Sequence, residues 1–244
     1  LSALLVAVLG YLAAFAVFYA VQLVISLFYD SRTPAIRPRP YSVWAMEQTA
    51  EFICFFCGLR IHVSGEELLP ADGKFLFVSN HRSNFDPIVV MNRLRACGVA
   101  FVSKPENLRI PIVGPFIHQC CFLSIDRENA RNAVKTINEA ADYIKNGVVS
   151  IGIYPEGTRS KSKVMGPFHA GSFKIAQKAG APVVVSSIRG TEQVNRRILR
   201  GTDVYLDILR IIPADEAASM KSVELSDKVR AMLEEHLKSA ESAT

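Results

Sequence analysis

The sequence predicts an α/β protein with a mixed, largely parallel sheet flanked by helices and an N-terminal helical segment that anchors it in a membrane. Residues 1–29 contain no charged side chain. From residue 74 onward, short apolar runs alternate with amphipathic helix patterns, which is typical of a sheet covered on both faces. Two polar clusters, at 80–87 and 155–160, follow apolar runs. They fall where strands end, which is where α/β proteins bind ligands.

The first predicted element is a membrane helix. Within residues 1–29 the clearly polar side chains are Ser2, Gln22 and Ser26. At about 1.5 Å per residue, a helix of this length crosses a hydrocarbon core of about 30 Å, and only a helix satisfies its own backbone inside lipid. A secretory signal peptide would combine a basic start with a shorter apolar stretch, and the sequence shows neither.

The second element, residues 41–59, is apolar but contains Glu47 and Glu51, which lie four positions apart on one helical face. These acids disfavour a second span and favour an interfacial helix, with Tyr41 and Trp44 near the lipid headgroups. Two arrangements remain open. Either the first helix crosses the bilayer alone, or both helices form a hairpin that enters one leaflet.

The charge pattern indicates the orientation. Arg32, Arg37 and Arg39 directly follow the first helix, and by the positive-inside rule this flank stays in the cytoplasm, together with everything after it. The formal net charge of +5 suits an anionic partner, which could be a membrane surface, a phosphorylated substrate or nucleic acid. Aromatic residues do not interleave with the basic ones, so we expect no nucleic-acid binding.

The remaining elements alternate along the chain. Strands are predicted at 74–79, 99–103, 120–125, 148–154, 182–188 and 203–212, and helices at 87–95, 129–146, 169–179 and 215–238. The helix at 129–146 has the clearest amphipathic pattern, with Ala130, Val134, Ile137, Ala141 and Ile144 at steps of three and four. No internal repeat interrupts the pattern, so we predict an anchor at residues 1–59 and one domain at residues 60–244.

The first polar cluster, "NHRSNFDP", brings His81 and Asp86 near Pro87. Five positions on a continuous helix would turn the two side chains apart by about 140°. We therefore predict that His81 lies at the strand exit and that Asp86 is the N-cap of a helix starting at Pro87. The carboxylate either only caps the helix, worth about 1 kcal/mol, or also orients the imidazole as a general base.

The second cluster, "YPEGTRS" at 154–160, follows a predicted buried strand. Gly157 lets the backbone approach a ligand closely, and the planar fork of Arg159 suits a phosphate, although a solvated turn has the same composition. Thr158 replaces the lysine that a nucleotide-binding loop would need after Gly152 and Gly157, so we exclude that loop. Lys104, Arg127, Lys161 and Lys163 are further basic residues beside the strand ends.

The five cysteines do not suggest a disulfide framework. Cys54 and Cys57 are spaced C-x-x-C in the second apolar helix, and Cys120 and Cys121 are adjacent in a predicted strand. No second C-x-x-C supports a zinc site that includes His118. We expect buried, reduced thiols and no bound metal.

The two clusters together resemble the glycerolipid acyltransferases, which carry H-x-x-x-x-D and E-G-T-R blocks. In this chain the blocks are "NHRSNFDP" and "YPEGTRS". Their order and separation agree with the family, as do "KPEN" at 104–107, "IDR" at 125–127 and "APVVV" at 181–185. The resemblance covers residues 61 to about 195, and an apolar N-terminal anchor is usual in the family.

The resemblance implies that the hydroxyl of lysophosphatidate (1-acyl-sn-glycerol-3-phosphate) attacks an acyl thioester, on acyl carrier protein or coenzyme A, and gives phosphatidate. His81 would take the hydroxyl proton and Asp86 would orient the imidazole. The implied phosphate-binding residues are Glu156, Gly157, Thr158 and Arg159, assisted by Lys104 and Arg127. No cofactor or metal is implied beyond the thioester co-substrate. The implied location is the inner, cytoplasmic membrane of a bacterium, with the catalytic domain on the cytoplasmic side.

Two departures concern the acceptor. The family usually has a glycine where this chain has Cys121, and a second proline where it has Val185. A different lysophospholipid or glycerol-phosphate acceptor therefore remains an alternative, as does a non-catalytic lipid-binding protein. A serine hydrolase is disfavoured because the sequence contains no G-x-S-x-G motif.

Overall fold

Seven strands form one sheet. The computed structural model describes residues 2–29, 33, 35–126, 129–160, 164–198 and 200–242. The strands are β1 (Leu59–Ser64), β2 (Leu76–Ser79), β3 (Val99–Ser103), β4 (Leu123–Ser124), β5 (Ser150–Ile153), β6 (Val183–Arg189) and β7 (Thr202–Ile212). Their order across the sheet is β1-β7-β6-β2-β5-β3-β4, and every neighbouring pair is parallel except β6 and β7. The predicted mixed, largely parallel sheet is confirmed.

The helices are α1 (Ser2–Ser26), α2 (Pro40–Phe56), α3 (Phe85–Arg93), α4 (Val113–Gln119), α5 (Ala130–Lys145), α6 (Lys174–Ala179), α7 (Ala214–Ser219) and α8 (Ser222–Ser242). The β2–α3–β3 crossover moves towards β4, and the β4–α5–β5 crossover moves back. Because such crossovers are almost always right-handed, α3 and α5 lie on opposite faces of the sheet. Helix α2 packs on α3 and α4, and α5 packs on α6.

The centre of the core is β2 and its two neighbours. All four residues of β2 are buried, as are all four of β5. Val183, Val184 and Val185 of β6 are also fully buried. These strands carry continuous apolar runs instead of an alternating pattern because helices cover both faces of the sheet. The ends of the central strands are therefore fixed by a rigid core.

Helix α1 is apolar around its whole circumference and mostly exposed. Leu5–Ser26 is the one segment among the described residues that is long and apolar enough to cross a membrane. Near its N-terminus, Tyr11 stacks on Phe52 of α2. Near its C-terminus, Gln22 Nε2 donates a hydrogen bond of 2.9 Å to the hydroxyl of Tyr41. The two helices therefore run antiparallel, with the exposed apolar surface of α1 available to lipid.

Helix α2 has one face buried against the protein and one face exposed. Ala45, Ala50 and Cys54 are buried against the rest of the protein, whereas Trp44 is exposed. Glu51 forms an ion pair with Arg95, which comes just after α3, and it accepts a hydrogen bond from Asn92 on α3. The predicted division between residues 59 and 60 falls after the first residue of β1, and the contacts of α2 with α3 and α4 join the two parts.

Three parts of the predicted pattern were wrong. The strand predicted at 120–125 is reduced to Leu123–Ser124, because Cys120 and Cys121 end the unpredicted helix α4 and Cys121 has a φ of 63°. Strand β1 was not predicted. The long C-terminal helix is divided near Met220 into α7 and α8.

Candidate active site

The candidate site lies where the central strands end. Asn80, directly after β2, joins this strand exit to that of β6 through two hydrogen bonds. Its Nδ2 donates to the carbonyl of Ile188 at 2.9 Å, and the amide of Ile188 donates to its Oδ1 at 2.8 Å. This pairing through both ends of the amide fixes the backbone that carries the next residue, His81.

His81 and Asp86 lie in direct contact. The Nδ1 atom of His81 is 2.8 Å from Oδ2 of Asp86. The Asp86 side chain is 0% exposed and that of His81 is 18% exposed. A carboxylate accepts the proton on Nδ1, which leaves the lone pair on Nε2. The pair can therefore present a general base on its accessible side.

Asp86 is held by further donors. The amides of Arg82 and Ser83 donate to Oδ2 at 2.7 and 2.8 Å, and the hydroxyl of Thr191 donates to Oδ1 at 2.5 Å. A buried carboxylate is tolerated only when it is satisfied by such bonds. The prediction that Asp86 is the N-cap was wrong: α3 begins at Phe85, because the Ser83–Asp86 turn continues into the helix and the carboxylate points back to the preceding amides.

An aromatic stack supports the imidazole. The ring of His81 lies on that of Tyr154 with centroids 4.2 Å apart and planes 12° apart, and Tyr154 stacks on Phe101 at 5.4 Å. Burial, reinforced by the nearby Asp86 charge, raises the pKa of Tyr154 well above its usual range, so the phenol is neutral. The stack restrains the plane of the imidazole.

Glu156 connects the second cluster to the first. Its side chain is buried, with the whole residue 4% exposed. Oε1 accepts the amide of His81 at 2.8 Å, and Oε2 accepts the hydroxyl of Ser160 and the amide of Gly166. The amide of Ser160 also donates to the carbonyl of His81 at 2.8 Å. Glu156 therefore holds the backbone of His81 through its amide.

The other predicted binding residues differ in position. Gly157 has a φ of 72° and closes a turn by donating to the carbonyl of Tyr154. Thr158, Arg159 and Lys104 are exposed, and the guanidinium of Arg159 has no hydrogen bond or ion pair with any residue in the described ranges. Arg159 is thus available for an anion next to Ser160, which contacts His81. Arg127, like Arg32, Lys161 and Lys163, lies outside the described residues.

The cysteines are all free thiols. Burial raises the pKa of Cys120 to about 12 and that of Cys121 to about 11, so both are protonated near neutral pH and are poor nucleophiles and metal ligands. No group of three or more His, Cys, Asp or Glu side chains is arranged to hold a metal in the part of the chain that the structure describes.

Three contributors to the site were not identified from the sequence: Asn80, Tyr154 and Thr191. Thr191 lies 105 positions from its partner Asp86, and no local pattern signals a contact at that distance. Asn80 was missed for the same reason, because its partner Ile188 is 108 positions away. Tyr154 belongs to the second cluster, but stacking under the histidine has no local sequence signal.

Comparison with known proteins places these features in context. A family model described as "Acyltransferase" matches residues 60–189. The 1-acyl-sn-glycerol-3-phosphate acyltransferase of Salmonella typhimurium is 31% identical over 173 residues, covering 69% of this chain and 70% of that protein. The Escherichia coli protein of the same name is 28% identical over 181 residues, covering 74% of each.

A solved structure is similar over nearly the whole chain. The crystal structure of the 1-acyl-sn-glycerophosphate (LPA) acyltransferase PlsC from Thermotoga maritima superposes with a TM-score of 0.70 at 25% sequence identity. The match covers 98% of this chain and 95% of that one. The similarity therefore includes the helical N-terminal segment as well as the sheet.

Proposed function

The chain belongs to the acyltransferase family, and we propose that it transfers an acyl chain from an acyl thioester to the free hydroxyl of 1-acyl-sn-glycerol-3-phosphate, giving phosphatidate. Family membership makes it an O-acyltransferase. The acceptor is supported by the names of its bacterial relatives. The observation that carries the mechanism is the 2.8 Å contact between His81 and Asp86.

The proposed reaction is a direct transfer. Nε2 of His81 takes the proton from the acceptor hydroxyl as its oxygen attacks the thioester carbonyl carbon. The new C–O ester bond forms and the C–S bond breaks. The leaving thiolate then takes the proton from the imidazolium, which Asp86 stabilises meanwhile. A general base placed in this way contributes about 10² to 10⁴ in rate.

Arg159 is the proposed phosphate ligand. Its fork of N–H donors can hold two phosphate oxygens at once, and its guanidinium is exposed and unpaired among the described residues. Thr158, Lys104 and Arg127 would add a hydroxyl and two positive charges. Glu156 and Gly157 would hold the loop in position and would not bind the phosphate directly. The Glu156 carboxylate would repel a phosphate, and its oxygens already accept hydrogen bonds from protein donors. Gly157 closes the turn that precedes Thr158 and Arg159.

The membrane is the proposed source of the acceptor. Lysophosphatidate and phosphatidate are both bilayer amphiphiles, and α1 presents an apolar surface long enough to enter the hydrocarbon core. We propose the cytoplasmic membrane, with the catalytic domain on the cytoplasmic side, where acyl carrier protein and coenzyme A thioesters are available. Both donors supply the same thioester chemistry.

The test is His81→Ala. Because this variant lacks the proton acceptor, we expect acyl transfer to fall by at least about 10²-fold in protein that still folds and unfolds cooperatively on heating. The matched control is His236→Ala. His236 lies on α8, and its Nε2 is 3.1 Å from Oδ2 of Asp207 on β7, so this variant also removes a histidine that pairs with an aspartate. Full activity in His81→Ala would refute the mechanism.

The same assay identifies the substrates. Purified protein is given a panel of lyso-lipids, with the acyl thioester of acyl carrier protein or of coenzyme A as donor. Highest kcat/KM with lysophosphatidate supports the proposed acceptor, and highest kcat/KM with another lysophospholipid or with glycerol phosphate would replace it. Comparison of the two thioesters decides the donor.

A further inference from the structure

Thr191 is a buried residue that contacts the candidate catalytic pair from a distant part of the chain. It is the first residue of a 3-10 helix, Thr191–Arg196, that follows β6. The residue is fully buried, as is Asp86. Its Oγ1 lies 2.5 Å from Oδ1 of Asp86, on the opposite side of the carboxylate from His81.

We propose that Thr191 is a positioning residue for acyl transfer, because its hydroxyl fixes the plane of the Asp86 carboxylate and through it the tautomer and orientation of His81. The inference rests on the proposed function of the His81–Asp86 pair. It adds a residue that belongs to neither polar cluster of the sequence.

The two oxygens of Asp86 have different partners. Oδ2 is shared by Nδ1 of His81 and the amides of Arg82 and Ser83. Oδ1 accepts one hydrogen bond within the described part of the chain, and Thr191 donates it. The two oxygens turn together about the Cβ–Cγ bond, so any rotation would break both sets of bonds, and the Thr191 hydrogen bond adds to those that fix the carboxylate plane. Loss of this donor leaves a buried anionic oxygen unsatisfied.

The fold delivers the hydroxyl to this point. The Asn80–Ile188 hydrogen bonds join the exits of β2 and β6, which brings the residues after each strand together. Gly190 has a φ of 89°, and a Cβ atom there would lie 2.2 Å from the carbonyl oxygen of Asp203. The chain therefore turns tightly against β7 immediately before Thr191, whose β-branched side chain has few rotamers.

A positioning role differs from a purely structural one in its kinetic effect. A hydroxyl that only stabilises the fold changes the melting temperature and leaves the turnover of folded protein unaltered. A hydroxyl that orients the base changes kcat, while KM for acceptor and donor stays constant because Thr191 is buried and touches neither. The separation of kcat from KM therefore distinguishes the two roles.

The experiment compares Thr191→Val, Thr191→Ser and Thr191→Cys. Valine has nearly the same shape and no donor, so we expect kcat to fall about 10- to 100-fold with both KM values within about twofold. Serine keeps the hydroxyl and should return kcat to within about threefold of the parent. Cysteine, a weaker donor, should give an intermediate value.

The matched control is Thr202→Val. Thr202 is a buried threonine on β7 whose hydroxyl has no hydrogen-bond partner in the described ranges, so the same substitution should leave kcat unchanged. ¹⁵N spectra of His81 provide a second readout. We expect protonated Nδ1 in Thr191→Ser and a mixture of tautomers in Thr191→Val.

Parental kcat in folded Thr191→Val would overturn the inference. If His81→Ala is inactive in the same assay, the proposed function remains. Activity in His81→Ala would instead overturn the proposed function itself. If Thr191→Val does not fold, the cysteine variant decides: a reduced kcat with a single His81 tautomer, or a kcat equal to the parent, would each count against positioning by Thr191.

Discussion

Glu156 belongs to the sequence block whose resemblance implies phosphate binding, but its contacts are internal. It receives hydrogen bonds from His81, Ser160 and Gly166. A carboxylate with three such donors stabilises the loop that carries the candidate base, whereas the exposed Arg159 is the proposed phosphate ligand. A change at Glu156 should therefore lower kcat, whereas a change at Arg159 should raise KM for the acceptor.

Glu156→Gln should lower kcat and stability together. The amide nitrogen of glutamine would face the Gly166 N–H, which is also a donor, and this conflict costs about 1–3 kcal/mol. We expect a lower melting temperature and a kcat reduced about tenfold, measured by thermal unfolding and steady-state kinetics. Glu216→Gln, which removes a carboxylate from ion pairs on α7, is the control. A raised KM for lyso-lipid with normal kcat would show instead that Glu156 binds the acceptor.

Arg159→Lys should affect the acceptor selectively. An ammonium group cannot reproduce the two parallel hydrogen bonds of a guanidinium, so we expect KM for lyso-lipid to rise about tenfold while KM for the thioester stays constant. Arg230→Lys on α8, where the arginine pairs with Glu234, should change neither value. Equal effects on both substrates would remove Arg159 from the phosphate site.

Pro87 and the five-residue spacing ruled out one continuous helix through His81 and Asp86, but they left open whether the carboxylate only capped a helix or also oriented the imidazole. The family resemblance favoured the second interpretation, and the structure shows the 2.8 Å contact. Thr191 and Asn80 could not be identified in this way, because their partners lie more than a hundred positions away. Such contacts depend on strand order, which a single sequence does not provide.

At the scale of elements, the long apolar strands and the amphipathic helix α5 were predicted because each has a clear period. Strand β1 was missed because it is a half-buried edge strand that directly follows an apolar helix. Helix α4 was missed because Gly114 and Pro115 weaken its helical signal. At Gly114 a side chain would meet the carbonyl oxygen of Leu108 at 2.2 Å, so packing selects the glycine against helix propensity.

Strand β5 provides the element-scale prediction. A Cβ atom at Gly152 would lie 2.5 Å from Cε1 of Phe101 and 2.9 Å from Cγ1 of Val99. Gly152→Ala therefore displaces Phe101, on which Tyr154 and then His81 are stacked. We expect a loss of about 1–3 kcal/mol in the free energy of unfolding and reduced kcat, measured by denaturant unfolding and acyl transfer.

The control for this prediction is Gly171→Ala. The nearest atom to a Cβ there is 3.9 Å away, which is ordinary van der Waals contact. This variant should keep both its stability and its activity. If Gly152→Ala is equally stable and active, the aromatic stack does not transmit packing to the imidazole.

At the scale of the whole molecule, α1 and the sheet differ in where their apolar side chains lie. The sheet buries its apolar residues internally, whereas α1 exposes them almost everywhere. Composition alone predicted this difference. It did not distinguish a single span from a hairpin, because that choice depends on contacts such as Tyr11 with Phe52 and Gln22 with Tyr41.

A charge on α1 should release the protein from membranes. Leu9 is 56% exposed, and placing a lysine there should cost about 2–3 kcal/mol of insertion free energy. We expect a smaller fraction of Leu9→Lys than of the parent to sediment with vesicles. Val134→Lys is matched in exposure, at 55% on α5, and should sediment like the parent. Equal sedimentation of the two variants would show that α1 does not enter lipid.

The candidate base His81 lies between β2 and α3 and its orienting acid Asp86 lies in the first turn of α3, whereas Arg159 follows β5. The proposed proton transfer and the proposed choice of acceptor therefore share one junction, because Glu156 and Ser160 of the second loop both bond to the backbone of His81. A substitution that moves either contact would shift the imidazole as well as the acceptor site. We therefore expect changes in acceptor preference to be tolerated best at exposed positions such as Arg159, which leave both contacts in place.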